Sequence, residues 1–246
     1  MNVLKVYDTN LDRIRLGESG DGGYVIFDGL KYDYLLSGGI ENTIRFESDF
    51  IDKYNVVCDA FDNSIDELPE KNNKIRFNKK TISGGNNVNT TNLKHIIKQK
   101  KNIFVKMDIE GWEWNWLSQL TDEDFNNIKQ MCIELHFFHN VQNANDVQVF
   151  HSRLQILDRL NQFFFLMHVH ANNFGPSFDY NSTRYPSVIE CTYINKSVFK
   201  ENPNLVLIEN VRSFPTELDE KNCEQIEDIN DLLNKEPFRA TQLRKI

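Results

Sequence analysis

Cysteine is scarce and unpaired in this sequence. The four residues, Cys58, Cys132, Cys191 and Cys223, lie far apart, and no Cys-x-x-Cys occurs. Cys58 and Cys132 sit in apolar runs, where a free thiol behaves as a small hydrophobe. That usage fits a reducing, cytoplasmic setting. With 11 Gly and 6 Pro in 246 residues, collagen-like and linker-like chains are excluded. Long apolar runs are missing too. The most apolar stretch, 163–169, is far too short to span a bilayer. The first five residues carry no apolar block, so neither a signal peptide nor a membrane partner is expected. Positive charge is in deficit: 28 Lys and Arg face 36 Asp and Glu, a formal net charge of −8. A chain so acidic is poorly suited to gripping a nucleic-acid backbone. Lys98, Lys100 and Lys101 form a small basic cluster that reads as a solvated helix end. The phosphate-binding pattern G-x-G-x-x-G is absent, which argues against an NAD-dependent sugar-modifying enzyme.

What is present is a folded chain. Apolar residues make up 40% and there are 18 Phe, enough for a sizeable core without staples. Short β-rich runs alternate with amphipathic stretches, which predicts an α/β fold. Strands are expected over 32–37, 55–61, 102–108, 131–137, 163–170 and 188–194, with weaker ones over 74–77 with 81–82 and over 205–208. Helices are expected over 43–54, 92–99, 112–120 and 146–160. Residues 172–186 read as a long irregular loop of the kind that often carries function. Such alternation gives a mostly parallel, doubly wound sheet, whose ligands bind at the carboxyl ends of the strands.

Those strand ends carry the chemistry. Gly38 and Gly39 follow the first strand and permit close approach of a ligand to the backbone. Gly17 to Gly23 is also glycine-rich but precedes the first clear strand and reads as a turn. Asp62, at the second strand's end, suits the paired hydroxyls of an adenosine ribose, with Asp59 as the alternative. Lys106, Asp108 and Glu110 alternate along extended chain and would share one face. Glu134 and His136 share a face of the next strand, and His168 and His170 follow on another. Asp108 and Glu134 with His136 or His170 offer a divalent cation hard oxygens and an imidazole. His95, His139 and His151 read as surface residues.

The stretch from Val105 to Trp114, VKMDIEGWEW, closely resembles the K-x-D-x-E-G-x-E motif of FkbM-like, S-adenosylmethionine-dependent methyltransferases. Asp21-Gly22-Gly23-Tyr24 resembles the D-G-G-Y element of one branch. Ser37-Gly38-Gly39-Ile40 with Phe46-Glu47 resembles that branch's cofactor loop, and Ala60-Phe61-Asp62 its acidic strand end. The usual acidic-G-x-G-x-G loop is reduced here to Gly38-Gly39 followed by Glu41.

The resemblance implies a Rossmann-like class I methyltransferase: a seven-stranded, mostly parallel sheet with helices on both faces. It implies a single domain over 1–246, with a cofactor half at about 14–136, a substrate side at about 140–200 and a C-terminal extension at 202–246. S-adenosyl-L-methionine would meet Tyr24, Ser37, Gly38, Gly39, Glu41, Asp62, Asn63, Asp108 and Glu110. Some related enzymes add Mg or Mn, for which Asp108, Glu134 and His136 would serve. The implied reaction is O-methylation of a sugar or carbohydrate-like small molecule. Asp108 with His136 or His170 would be catalytic, His136 or His170 acting as base. Asn172, Asn173 and Arg184 would bind substrate, with Tyr180 and Tyr185 stacking on a sugar ring. The rival readings are the NAD-dependent enzyme and a non-catalytic binding module on the same fold. Oligomeric state is not legible.

Overall fold

A computed structural model of the chain describes residues 3–136 and 144–239. Seven strands form the central sheet: β1 (Tyr34–Gly38), β2 (Cys58–Phe61), β3 (Ile75–Asn78), β4 (Ile103–Met107), β5 (Ile128–His136), β6 (Phe164–Ala171) and β7 (Val188–Asn195). Their order is β6-β7-β5-β4-β1-β2-β3. Neighbours from β3 to β5 run parallel, while β7 is antiparallel to both β5 and β6. This is the seven-stranded, mostly parallel sheet that the sequence resemblance implies. The order reverses between β1 and β4, so a ligand crevice is expected where Gly38 and Met107 end their strands.

The helices are α1 (Arg45–Tyr54), α2 (Lys94–Ile97), α3 (Glu113–Gln119), α4 (Asp122–Phe125), α5 (Ala144–Phe163) and α6 (Lys196–Glu201). Continuous apolar runs in the strands reflect burial on both faces. On one face Trp116 and Leu117 of α3, Phe125 of α4 and Phe150 and Leu157 of α5 pack on Val105, Ile133 and Tyr193. On the other, Phe46, Phe50 and Ile51 of α1 pack on Phe104 and Cys132. Cys58, Cys132 and Cys191 are buried free thiols.

That second face is completed by an N-terminal hairpin, Arg13–Gly17 paired with Gly23–Phe27. Gln130 of β5 pins it, accepting from Phe27 N (2.8 Å) and donating to Phe27 O (2.9 Å). Thr192 Oγ1 of β7 donates to Val25 O at 2.6 Å. Tyr24 is thereby carried over the end of β4.

Several expectations are corrected. Residues 172–186 are not irregular: Ser177–Tyr180 and Thr183–Pro186 form a hairpin. Its Phe178, Tyr180 and Tyr185 rings pack around Phe150, which explains the aromatic composition. The third sheet strand is Ile75–Asn78 alone, since Thr81–Ile82 pairs with Thr90–Thr91 outside the sheet. The helix expected over 92–99 shrinks to α2 because Leu93 takes a left-handed φ of 61° before it. The weak strand at 205–208 becomes Leu207–Glu209, paired with Tyr7–Thr9. His139 lies outside the described residues. Among those described, no helix is long and apolar enough to cross a membrane.

The C-terminal segment returns across the sheet's β6 side. His168 Nε2 meets Asp219 Oδ1 at 2.8 Å, both side chains almost fully buried. Asp219 Oδ2 accepts from Thr216 N (2.6 Å) and Thr216 Oγ1 (2.9 Å). Burial alone would raise the Asp219 pKa, but His168 and these donors outweigh it and bring it to about 2. A depressed carboxyl pKa stabilises the fold above its unfolded value and loses that contribution as pH falls through the folded value. Asp219→Asn should therefore cost about 3 kcal/mol near neutrality. In urea denaturation at successive pH values, the gap between wild type and variant should close as pH falls toward about 2.

Candidate active site

Gly39 follows β1 with φ +78°, and a Cβ there would stand 1.7 Å from Asp108 O. Only glycine allows this contact between the ends of β1 and β4. Asp108 N donates to Gly38 O at 3.0 Å. Lys106, buried in β4, donates from Nζ to Gly39 O and lies 5.6 Å from the Tyr24 ring centre. Burial disfavours its ammonium, but Glu47, Asp108 and Glu134 nearby outweigh this and hold its pKa above the usual lysine value. Ser37 Oγ donates to the buried Glu47.

Beyond β4 the chain turns through Glu110 (φ 54°) and Gly111 (φ 93°) into α3. Glu110 therefore leaves the extended register expected for it. Glu113, fully buried, accepts from Gly111 N (2.8 Å) through Oε2 and from His136 N (2.7 Å) through Oε1. It ties this turn to the end of β5.

Asp108, Glu134 and His136 come together as the sequence predicts, each offering a ligand atom within 4.8 Å of the others. Tyr24 OH donates to Asp108 Oδ2 at 2.9 Å. Burial would raise the Asp108 pKa, yet Lys106, a hydrogen bond from Glu134, Tyr24 and His136 hold it below the usual range. Glu134 goes the other way: burial and the neighbouring Asp108 charge push its carboxyl well up. Within the pair, Asp108 thus favours the charged form and Glu134 the neutral one. Asp108 Oδ1 is buried with no other donor among the described residues. His136 stands 3.2 Å from Glu113, 3.3 Å from Glu110 and 3.7 Å from Glu134. Burial opposes its charge, but Glu110 and Glu113 raise its pKa to about 10. That shift favours the imidazolium form of His136 over the neutral base expected of it.

A cavity of about 890 Å³ opens over these strand ends. Eight carboxylates and three lysines line it. Tyr24, Gly39, Glu41, Asp62, Asn63, Asp108 and Glu110, all expected at the cofactor, line it. Gly38 lies beneath Ile82 and Met107, and Ser37 is buried against Glu47. Asp62 is engaged internally: Oδ2 accepts from Ile40 N (2.7 Å) and Glu41 N (2.9 Å), and Oδ1 accepts from Ser64 N and Oγ. It shapes the loop that turns Glu41 toward the cavity. Burial and the charges of Asp108, Glu110 and Asp62 raise the Glu41 pKa. Asp59, the alternative, is buried in an ion pair with Arg76.

The remaining expected residues lie elsewhere. His170 is buried 3.0 Å from Glu190, away from the cavity lining. Asn172 supports Glu134 Oε1 at 2.7 Å. Asn173 holds the C-terminal segment through Cys223 and Ile226. Arg184 is exposed and reaches Ser177. His151 is exposed and meets Tyr180 OH. Trp112, 47% exposed, lines the cavity, whereas Tyr180 and Tyr185 pack around Phe150 away from its lining. Sequence reasoning passed over Trp112, Glu113 and the lining residues Lys221, Asn222 and Glu224. The motif EGWE contained a signal for the first two; the last three lie in a segment with no periodic pattern.

A family model for the methyltransferase FkbM domain matches residues 21–168. No curated protein matches the chain. Among solved structures, Methanococcus jannaschii fibrillarin, a pre-rRNA processing protein, is similar at 13% identity and a TM-score of 0.40, over 76% of this chain and 83% of that one. An rRNA-methylase candidate from Clostridium thermocellum is similar at 9% identity and a TM-score of 0.36, over 68% and 88%.

The contact between Gly39 and Asp108 gives a direct test. Gly39→Ala should cost more than about 2 kcal/mol in urea denaturation, from strained φ and overpacking together. Gly85→Ala, whose Cβ would meet nothing within 4 Å, should stay within about 0.5 kcal/mol.

Proposed function

This chain belongs to the FkbM methyltransferase family, and on that premise we propose that it methylates a hydroxyl of a neutral carbohydrate or carbohydrate-like small molecule. S-adenosylmethionine is the methyl donor the family implies, and the site fits it. The cavity is of ligand size, Gly39 lines it, and its acidic lining suits a sulfonium. The carrying observation is Asp108, a carboxylate at the end of β4 held below the usual pKa range, lining the same cavity as the exposed indole of Trp112. A sugar presents hydroxyl donors at its edge and an apolar ring face. Carboxylates accept from the first, and an aromatic face covers the second. The same eight carboxylates repel phosphate, which disfavours phosphorylated and RNA acceptors.

When bound, the cofactor supplies a methyl group on a good leaving system. The chain must align the acceptor oxygen and receive its proton. Alignment can supply about 7 kcal/mol or more. Asp108 accepts the acceptor's hydrogen bond and takes the proton as the oxygen loses electron density and grows more acidic. Lys106 keeps Asp108 charged, and Tyr24 fixes its orientation. A second reading is favoured by the close set of Asp108, Glu134 and His136. There a divalent cation would displace the protons of Glu134 and His136 and acidify a coordinated hydroxyl. The buried free thiols support a reducing compartment.

The test is methyl transfer to a panel of methyl glycosides and their phosphorylated counterparts, followed by release of S-adenosylhomocysteine, with and without chelator. Neutral glycosides should be methylated and phosphorylated ones spared. Asp108→Asn should lower kcat by about 10²–10⁴-fold. Loss of activity on chelation would select the cation reading; turnover confined to phosphorylated acceptors would refute the carbohydrate assignment.

A further inference from the structure

The family match ends at residue 168, yet Lys221, Asn222 and Glu224 line the same cavity. They belong to a strap, residues 216–224, held from behind and from the side. Behind it, Asp219 is fixed to His168 and Cys223 N donates to Asn173 Oδ1 at 2.9 Å. At its tip, Glu220 Oε2 accepts from Ser19 Oγ and Gly20 N, both at 2.7 Å. Asn222 Nδ2 donates to Asp21 Oδ1 (2.9 Å) and Glu190 Oε1 (2.7 Å). The strap thus closes onto the turn at 18–22, which also lines the cavity. Glu18 of that turn accepts from Thr43 Oγ1 at 2.9 Å, just before α1.

Adenosine in this fold lies toward the end of β2, here Phe61 to Ser64. The amino-acid end of a bound cofactor would then extend past Gly39 toward Tyr24, the 18–22 turn and the strap, which line the same cavity. A carboxylate entering an acidic cavity needs a cation. Of the three lining lysines, Lys106 is committed to Gly39 O and its own anions. Lys80 lies beyond β3 and reaches Asn87 O. Lys221 has no hydrogen bond or ion pair among the described residues.

We propose that the strap receives the amino-acid end of S-adenosylmethionine, with Lys221 binding its carboxylate and Glu220 as the positioning residue that clasps the 18–22 turn. This rests on the methyltransferase reading and adds a cofactor contact from outside the family-matched region.

The test compares two ligands by calorimetric titration of the full chain. S-adenosylhomocysteine carries the amino-acid end; 5′-methylthioadenosine has the same adenosine and thioether without it. Lys221→Ala and Lys221→Gln should weaken S-adenosylhomocysteine about tenfold, the loss of one charge-assisted contact, and leave methylthioadenosine within about twofold. Glu220→Ala should act in the same sense. Glu220→Gln, which keeps an acceptor for Ser19 and Gly20, should restore binding. Thermal melts should be unchanged for Lys221→Ala. Unaltered S-adenosylhomocysteine affinity, or equal loss for both ligands, would overturn the proposal. Failure of the wild type to bind S-adenosylhomocysteine would instead sink the methyl-transfer reading beneath it.

Discussion

Lys106 places an ammonium inside the sheet with little access to water. A charge so placed costs several kcal/mol unless it is paired and hydrogen-bonded. Here Gly39 O accepts its hydrogen bond, the Tyr24 ring covers it, and Glu47 and Asp108 balance it. Each of these partners belongs to a different element: the glycine loop, the N-terminal hairpin, α1 and the end of β4. One buried cation therefore sets the relative positions of the parts that surround the cavity. It also decides the state of Asp108, which stays ionised despite its burial.

The charge pattern continues outward in ordered steps. The surroundings favour a charged Asp108, a neutral Glu134, and a protonated His136 under Glu110 and Glu113. Glu134 faces Glu190 across β5 and β7, and Glu190 faces His170 across β7 and β6. A row of acids and imidazoles on one face of a sheet would be unstable if each group were ionised independently. Sharing protons between neighbours and pairing each carboxylate with an imidazole, amide or hydroxyl removes that cost. The row is thus a connected set of polar side chains that ends at Glu134, beside Asp108. This is why His170, plausible from sequence as a base, is found holding Glu190 instead.

The sheet was legible because its strands are buried on both faces and read as continuous apolar runs. The cluster of Asp108, Glu134 and His136 was legible because strand periodicity puts alternate residues together at neighbouring strand ends. Other parts had no such signal. The hairpin at 13–27 alternates Arg with apolar residues on a half-exposed strand, a weak pattern beside the core strands. Residues 172–186 are rich in Asn, Pro and aromatics, a loop composition, yet their rings pack on Phe150. Asp62 was placed correctly at the end of β2, but its lone pairs are taken by amides that only the folded loop brings near. The strap at 216–224 is held by single polar contacts across the whole length of the chain, and no local spacing announces those.

On the proposed reading Asp108, charged through Lys106 and oriented by Tyr24, faces the reacting atoms. A crystal structure of the chain with S-adenosylhomocysteine tests it most directly. The adenosine should lie against Phe61 to Ser64 and the sulfur should face Asp108 and Tyr24, with open space beside Trp112 for an acceptor. A sulfur directed away from Asp108, or a ligand seated outside this cavity, would contradict it.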